Sequence, residues 1–274
     1  MDPDRPTADP IWHAVLCEAR MDEQSEPMLA SFLHDSILRH QRLEDALSFI
    51  LANKLDTPVI PAISVREVIE EALLSDPSIG EAVRADMQAT VERDPACRGF
   101  SAPLLYFKGF HALQSHRVAH WLWKHARRPL ALYIQSRVSE IFAADIHPGA
   151  QIGKGILIDH ATSVVIGETA VIADNVSILH EVTLGGTGKQ TGDRHPKVGE
   201  GVLIAAGAKL LGNIRIGEGA KIGAGSVVLD DVEPHTTIVG VPGRPVGKTR
   251  FPKPALEMDH KINSGNSDAS SAGG

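Results

Sequence analysis

Two cysteines, Cys17 and Cys97, are all that the 274 residues contain. That is too few for a disulfide framework or a zinc set, and the expected setting is a reducing cytoplasm. A basic excess is missing too. With 27 Lys and Arg against 34 Asp and Glu, the formal net charge is -7, which argues against a general nucleic-acid binder and leaves any anionic ligand to a local basic patch. No apolar run follows a basic start between Met1 and Pro10, so neither a signal peptide nor a membrane span is expected. Glycine is nearly absent from the first half. Only Gly80, Gly99 and Gly109 precede Gly149, while nineteen of the twenty-five lie between Gly149 and Gly247. Helices avoid glycine and tight corners use it, so the chain changes regime near residue 142.

From Ile11 to about Phe142 the pattern is helical. One long helix is expected from Pro27 to near Leu55, with Leu29, Phe32, Leu33, Ile37 and Leu38 at amphipathic spacing. Ser64-Val65-Arg66-Glu67 reads as a capping box that starts another. Asp76-Pro77 offers an N-cap to a helix that ends near Asp94-Pro95. A further helix follows Gly109 and runs to Trp123, and Pro129 begins the last. Residues 1–142 are therefore expected to form an α-helical domain.

From Ile146 to Val228 an aliphatic residue returns every sixth position. The registers are Ile146, Ile152, Ile158; then Ile166, Ile172, Ile178, Leu184; then Val198, Ile204, Leu210, Ile216, Ile222, Val228. A period of six fits neither a helix nor an ordinary strand. With glycine at the corners it predicts a parallel β-helix over residues 143–250, each coil stacking on the last. Two breaks in register, of two residues after Ile158 and of eight after Leu184, must leave the stack as loops. The second loop, Gly185 to Lys197, carries Arg194 and His195. Residues 251–274 turn to Ser, Asn, Asp and Gly and are expected to be a flexible tail, disordered from Asn263 onward.

Polar residues inside the repeat carry the chemistry. Asp159-His160 stands where neighbouring corners have Gly153-Lys154 and Gly167-Glu168. An eighteen-residue coil would stack residue 145 under residue 163. That puts Asp145 and His160 on one face of adjacent coils about 4.8 Å apart. An imidazole held by a carboxylate is a general-base unit for activating a hydroxyl, although a His beside an Asp also serves as a structural pair. His116-Arg117-Val118-Ala119-His120 has the histidine spacing of a helical zinc site but lacks its glutamate. Gly188-Lys189 lacks the flanking residues of a phosphate loop. No metal is expected.

Five runs together are distinctive: Pro103 to Gln114, Asp145-Ile146-His147-Pro148, Asp159-His160-Ala161-Thr162, Val165 to Ala170, and Leu184 to Lys189 with Gly192-Asp193-Arg194-His195-Pro196-Lys197. The chain resembles the serine O-acetyltransferase family from about Ile11 to Lys248. The resemblance implies a left-handed β-helix and acetyl transfer from acetyl-CoA to the L-serine hydroxyl, the first step of cysteine synthesis. On it, His160 is the general base and Asp145 its orienting carboxylate. Asp94 and Asp159 hold the serine amino group, and Arg194 and His195 meet its carboxylate. Gly186 and Ala206 contact the pantetheine arm, the Gly186 amide also being a candidate oxyanion donor, and Lys221 lies near the CoA phosphates. It further implies inhibition by L-cysteine at the serine site and homotrimers that pair into a hexamer. Many members end in an isoleucine that docks into O-acetylserine sulfhydrylase. This sequence ends Ser270-Ser271-Ala272-Gly273-Gly274, so weak binding or none is expected.

Three other readings use the same residues. One is acetyl transfer to homoserine or a sugar through His160. Another is a zinc hydro-lyase built on His147, His160, His180 and His195, and the third is a non-catalytic solenoid.

Overall fold

The computed structural model describes residues 9–189 and 191–262. Among the described residues eight α-helices precede the first strand: α1 (Pro10–Ser25), α2 (Ala30–Leu33), α3 (Leu43–Leu55), α4 (Ala62–Ser75), α5 (Pro77–Arg93), α6 (Ser101–Tyr106), α7 (Lys108–Lys124) and α8 (Arg128–Phe142). The Asp76 cap is present, its carboxylate accepting from the Ser78 amide at 3.1 Å, and α5 ends at Arg93 as expected. Among the described residues no helix is long and apolar enough to cross a membrane.

Two helical expectations change. The single helix from Pro27 to Leu55 is broken: a 3-10 turn (Pro27–Leu29), α2 and a π-helical turn (His34–Leu38) come before α3. Ile37 and Leu43 are both fully buried, yet a six-residue step would place them on different sides of one continuous helix, so the chain breaks to re-phase its apolar face. The break is held from outside, because the Trp12 indole donates to the Gln41 carbonyl at 3.0 Å. The helix assigned to the capping box begins earlier, at Ala62. Pro61 supplies the entry conformation, with φ of -72°, and Ser64 is already inside the first turn.

Beyond α8 the chain passes through Ala143, in the left-handed region at φ 56°, and enters a parallel β-helix with three faces. The first face stacks Ala144–Ile146, Val164–Ile166, Thr183–Gly185, Lys209–Leu211 and Val227–Val228. The second stacks Gln151–Ile152, Val171–Ile172, Lys197–Val198 and Arg215–Ile216. The third stacks Leu157–Ile158, Ser177–Ile178, Leu203–Ile204, Lys221–Ile222 and Thr236–Val239, closed by an antiparallel edge strand, Arg244–Lys248. Twelve of the thirteen aliphatic positions of the repeat are buried, Ile152 being the half-buried one. The six-residue period is thus one residue per face per coil pointing into the prism.

The helices sit on this prism through a buried polar junction. Asp86 on α5 is fully buried, ion-paired to Arg117 of α7 at 2.6 Å, and accepts from the Gln114 amide at 3.0 Å. Its other oxygen accepts from the Ile156 amide at 2.9 Å, and Arg117 donates to the Gly153 carbonyl at 2.7 Å. At the end of α5, Arg93 donates to the Gly155 carbonyl at 3.0 Å and to Ser177 Oγ at 3.2 Å. Every one of these partners belongs to the first two coils, so α5 and α7 are pinned beside the corner that bears Asp159.

Residues 251–262, expected as the start of a tail, lie back along the third face. A helical turn, α9 (Pro254–Glu257), buries Ala255, whose carbonyl accepts from Ser177 Oγ at 2.9 Å. The stretch from Asn263 to Gly274, for which disorder is expected, falls outside the described residues.

Candidate active site

The first register break forms the corner between the third and first faces. His160, Ala161 and Ser163 all adopt positive φ, from 57° to 61°. Each costs on the order of 1 kcal/mol relative to a relaxed backbone, so the corner is held by what packs on it. The N-terminus of α7 does this: Gly109 sits against the Ile158 carbonyl, and Lys108 Nζ donates to Thr162 Oγ1 at 2.5 Å. A cavity of about 310 Å³ lies between α7 and the corner, lined among others by Asp94, Lys108, Asp159 and His160. Asp94 caps the end of α5 and accepts from the Ala96 amide at 2.8 Å. The His160 side chain is 73% exposed, with Nε2 3.7 Å from Asp159 Oδ1. The His180 ring, one coil on, meets it edge-on at 5.8 Å.

Asp145 is differently placed from the stacking expectation. The first coil carries the two extra residues, so Asp145 pairs with Val165 and not with residue 163. Its carboxylate accepts from the Gln135 amide of α8 at 2.7 Å. The carboxylate within ion-pair distance of His160 in this chain is that of Asp159.

A second cluster occupies the other edge of the first face, where Gly167-Glu168-Thr169 turns toward the second face. The loop from Gly185 to Lys197 folds back on this corner. Arg194 is ion-paired to Glu168 at 2.7 Å. His195, 7% exposed, lies over Gly167, and Thr169 contacts its ring and its amide. Burial, then the Arg194 and Lys197 charges, push the His195 imidazole below its ordinary value. The hydrogen bond from Arg194 holds the Glu168 carboxyl below the usual carboxylate range. Gly186 belongs to this edge: a β-carbon there would lie 3.7 Å from His195 Nε2. Ala206 belongs to the His160 edge, where the neighbouring Gly207 amide donates to the His180 carbonyl at 3.0 Å. Lys221 is buried on the third face beneath the C-terminal segment, with Nζ 3.9 Å from Asp259 and bonded to the Lys261 carbonyl. Burial lowers its pKa.

The predicted site residues therefore fall into two groups at opposite edges of one face. Asp94, Asp159, His160 and Ala206 stand at one edge, Gly186, Arg194 and His195 at the other, with Asp145 on the face between them; Lys221, on the third face, joins neither group. Glu168 and Thr169 complete the second group and were not singled out in the sequence. A signal for Thr169 exists, since corners elsewhere read Gly-x-Gly (Gly153 to Gly155, Gly199 to Gly201, Gly217 to Gly219, Gly223 to Gly225) and this one ends in threonine. The HRVAH pair is spent inside the protein: His116 is buried and His120 Nδ1 contacts the Pro148 carbonyl at 2.8 Å. Among the described residues no group of three or more His, Cys, Asp or Glu could hold a metal ion.

A six-residue-repeat prism with an exposed histidine and a basic loop on its rim defines an acyltransferase of the hexapeptide-repeat class. Comparison with known proteins makes this specific. Residues 11–115 match the family described as serine acetyltransferase, N-terminal, and residues 195–230 match the bacterial transferase hexapeptide repeats. A serine acetyltransferase of Salmonella typhimurium is 58% identical over 92% of this chain and 93% of its own length. A serine acetyltransferase structure in complex with cysteine superposes with a TM-score of 0.90 at 56% identity, covering 92% of this chain and 98% of that one. The Brucella abortus enzyme in complex with coenzyme A gives 0.87 at 51% identity, over 88% and 97%. The chain belongs to the serine acetyltransferase family: it is a serine O-acetyltransferase with acetyl-CoA as its co-substrate.

Proposed function

We propose that the two edges of the first face are two halves of one active site, joined when copies of this chain associate around a three-fold axis. The observation that carries this is the separation of the groups: a histidine with two carboxylates at one edge, an arginine-histidine loop at the other. In a trimer packed through this face, the His160 edge of one copy meets the Arg194 edge of the next. Pairing of two trimers through the helices gives the hexamer.

In that site Asp94 and Asp159 receive the serine ammonium, and Arg194 and His195 receive its carboxylate. The hydroxyl then faces His160. Nε2 of His160 takes the hydroxyl proton as the oxygen attacks the thioester carbonyl; the family resemblance assigns Asp145 to orient the imidazole, while in this structure its carboxylate is held by Gln135. The Gly186 amide faces the developing oxyanion. Collapse of the tetrahedral adduct breaks the carbon–sulfur bond, and the imidazolium returns its proton to the departing CoA thiolate. Both substrates are held together, so proximity supplies much of the rate and no covalent acetyl-enzyme forms. Gly186 and Ala206 flank the pantetheine arm, and Lys221, covered in this structure by residues 259–261, serves the CoA phosphates once that segment is displaced. L-Cysteine carries the same ammonium and carboxylate as L-serine and inhibits by occupying the same groups, a reading supported by the cysteine-bound relative. Cys17 and Cys97 are both free thiols, in keeping with work in the cytoplasm.

The test is CoA release from acetyl-CoA with L-serine, with and without L-cysteine, for the wild type and His160→Ala. A fall in turnover on the order of 10²-fold or more is expected for loss of the base. A fall under about threefold removes His160 from the mechanism.

A further inference from the structure

We infer that Thr169 sets the tautomer of His195, fixing it as a hydrogen-bond donor through Nε2. This rests on the reading above that His195 meets the amino-acid carboxylate.

Thr169 stands where six other corners have glycine; five of these, Gly155, Gly201, Gly207, Gly219 and Gly225, adopt positive φ, whereas Gly149, on the same edge, and Thr169 do not. The exchange is therefore not required by the turn, and the hydroxyl it introduces is fully used. Thr169 Oγ1 accepts from the Arg194 amide at 3.0 Å and from the His195 amide at 3.1 Å, and lies 2.9 Å from His195 Nδ1. With both lone pairs taken, the hydroxyl has its hydrogen to give, to Nδ1 or to the neighbouring Asp193 carboxylate. The Thr169 backbone amide also points at Nδ1, at 3.2 Å. A backbone amide can only donate, so Nδ1 is an acceptor and carries no hydrogen. The neutral ring then holds its single hydrogen on Nε2.

The ring is kept neutral by its surroundings. It is buried, and Arg194 and Lys197 bring positive charge from the loop while Glu168 faces it with negative charge and His147 adds a further ring. The protonated edge lies over the side-chain-free positions Gly167 and Gly186: a β-carbon at Gly167 would lie 2.1 Å from Nε2, and one at Gly186 3.7 Å from it. The opposite tautomer would present a lone pair to a carboxylate and repel it. Thr169 thus acts as a positioning residue through His195, and the same hydroxyl fixes the Arg194 backbone beside it.

Two pairs of variants test this. Thr169→Val keeps the shape and loses the hydroxyl, whereas Thr169→Ser keeps the hydroxyl. His195→Gln can present an amide N–H near the Nε2 position, whereas the shorter His195→Asn cannot. The expected result is a serine KM raised about tenfold or more in Thr169→Val, an acetyl-CoA KM unchanged, and recovery to within about threefold in Thr169→Ser. His195→Gln should exceed His195→Asn in kcat/KM for serine by a similar factor. Equal loss in the Val and Ser variants, equal increases in both KM values, or His195→Asn matching His195→Gln overturns the proposal. Should Thr169→Val not fold, the histidine pair decides alone. If both histidine variants leave the serine KM at the wild-type value, the carboxylate contact itself fails, which separates that reading from the tautomer assignment.

Discussion

Gly109, in the first turn of α7, lies so close to the Ile158 carbonyl that a β-carbon at that position would sit 2.0 Å from the oxygen. The next residue in the strand direction is Asp159, followed by His160. Helix α7 and the His160 corner are therefore in backbone contact, and any side chain at 109 must push them apart.

Gly109→Ala is expected to displace the corner by a substantial fraction of an ångström. Misplacement on that scale costs on the order of 10²-fold in rate. Steady-state kcat/KM for serine measures this, alongside thermal melting to confirm that the variant is folded. Activity within about twofold of wild type would mean that α7 does not set the corner.

The Asp86–Arg117 pair should behave as a buried ion pair whose members cannot be removed singly. Arg117→Met leaves a fully buried carboxylate and is expected to cost about 3–5 kcal/mol, read from urea denaturation. Asp86→Leu combined with Arg117→Met should recover part of that loss, since two apolar groups leave no stranded charge.

Acid should destabilise the helical half before it protonates the carboxylates. Burial pushes His111 down from 6.5 to about 4 and holds His116 well below 6.5, so both are neutral when folded and protonated when unfolded below 6.5. The unfolded state then binds more protons and stability falls as pH falls. For His111 the loss accumulates between 6.5 and about 4. Melting temperatures across this range should decline, with a shallower slope in His111→Gln. A flat profile would contradict the neutral assignment.

Glu168→Gln should act on one substrate only. It removes the charge that holds Arg194 at 2.7 Å, so a three- to tenfold rise in serine KM is expected, roughly the worth of a hydrogen bond between charged groups. The acetyl-CoA KM should stay within about twofold. Equal effects on both would place Glu168 in the framework of the loop instead.

The β-helix was legible because its signal is periodic and local. Each of Ile166, Leu184, Leu210 and Val228 points into the prism for the same reason, and the two register breaks mark the loops. The helix from Pro27 to Leu55 was misread because amphipathic spacing is judged over a window, and the six-residue step from Ile37 to Leu43 matters only once both must face one core. The Asp145 register failed by two residues, since the insertion that creates the His160 corner also lengthens the coil used to count it.

The amino-acid sequence alone determined the scaffold and its helical and solenoid halves, and it singled out His160 as the candidate base, because these depend on repeat period and short motifs. Tertiary structure decided what no period encodes. Asp86 and Arg117, thirty-one residues apart, pin α5 and α7 to the first coils. Asp145 turns to Gln135, and Thr169 reaches the ring of His195, twenty-six residues away in sequence. A contact between side chains distant in the chain depends on how elements dock, and docking is fixed by the whole packed core. The two halves of the site stand at opposite edges of one face for the same reason: the prism sets their distance, and the motifs set only their chemistry.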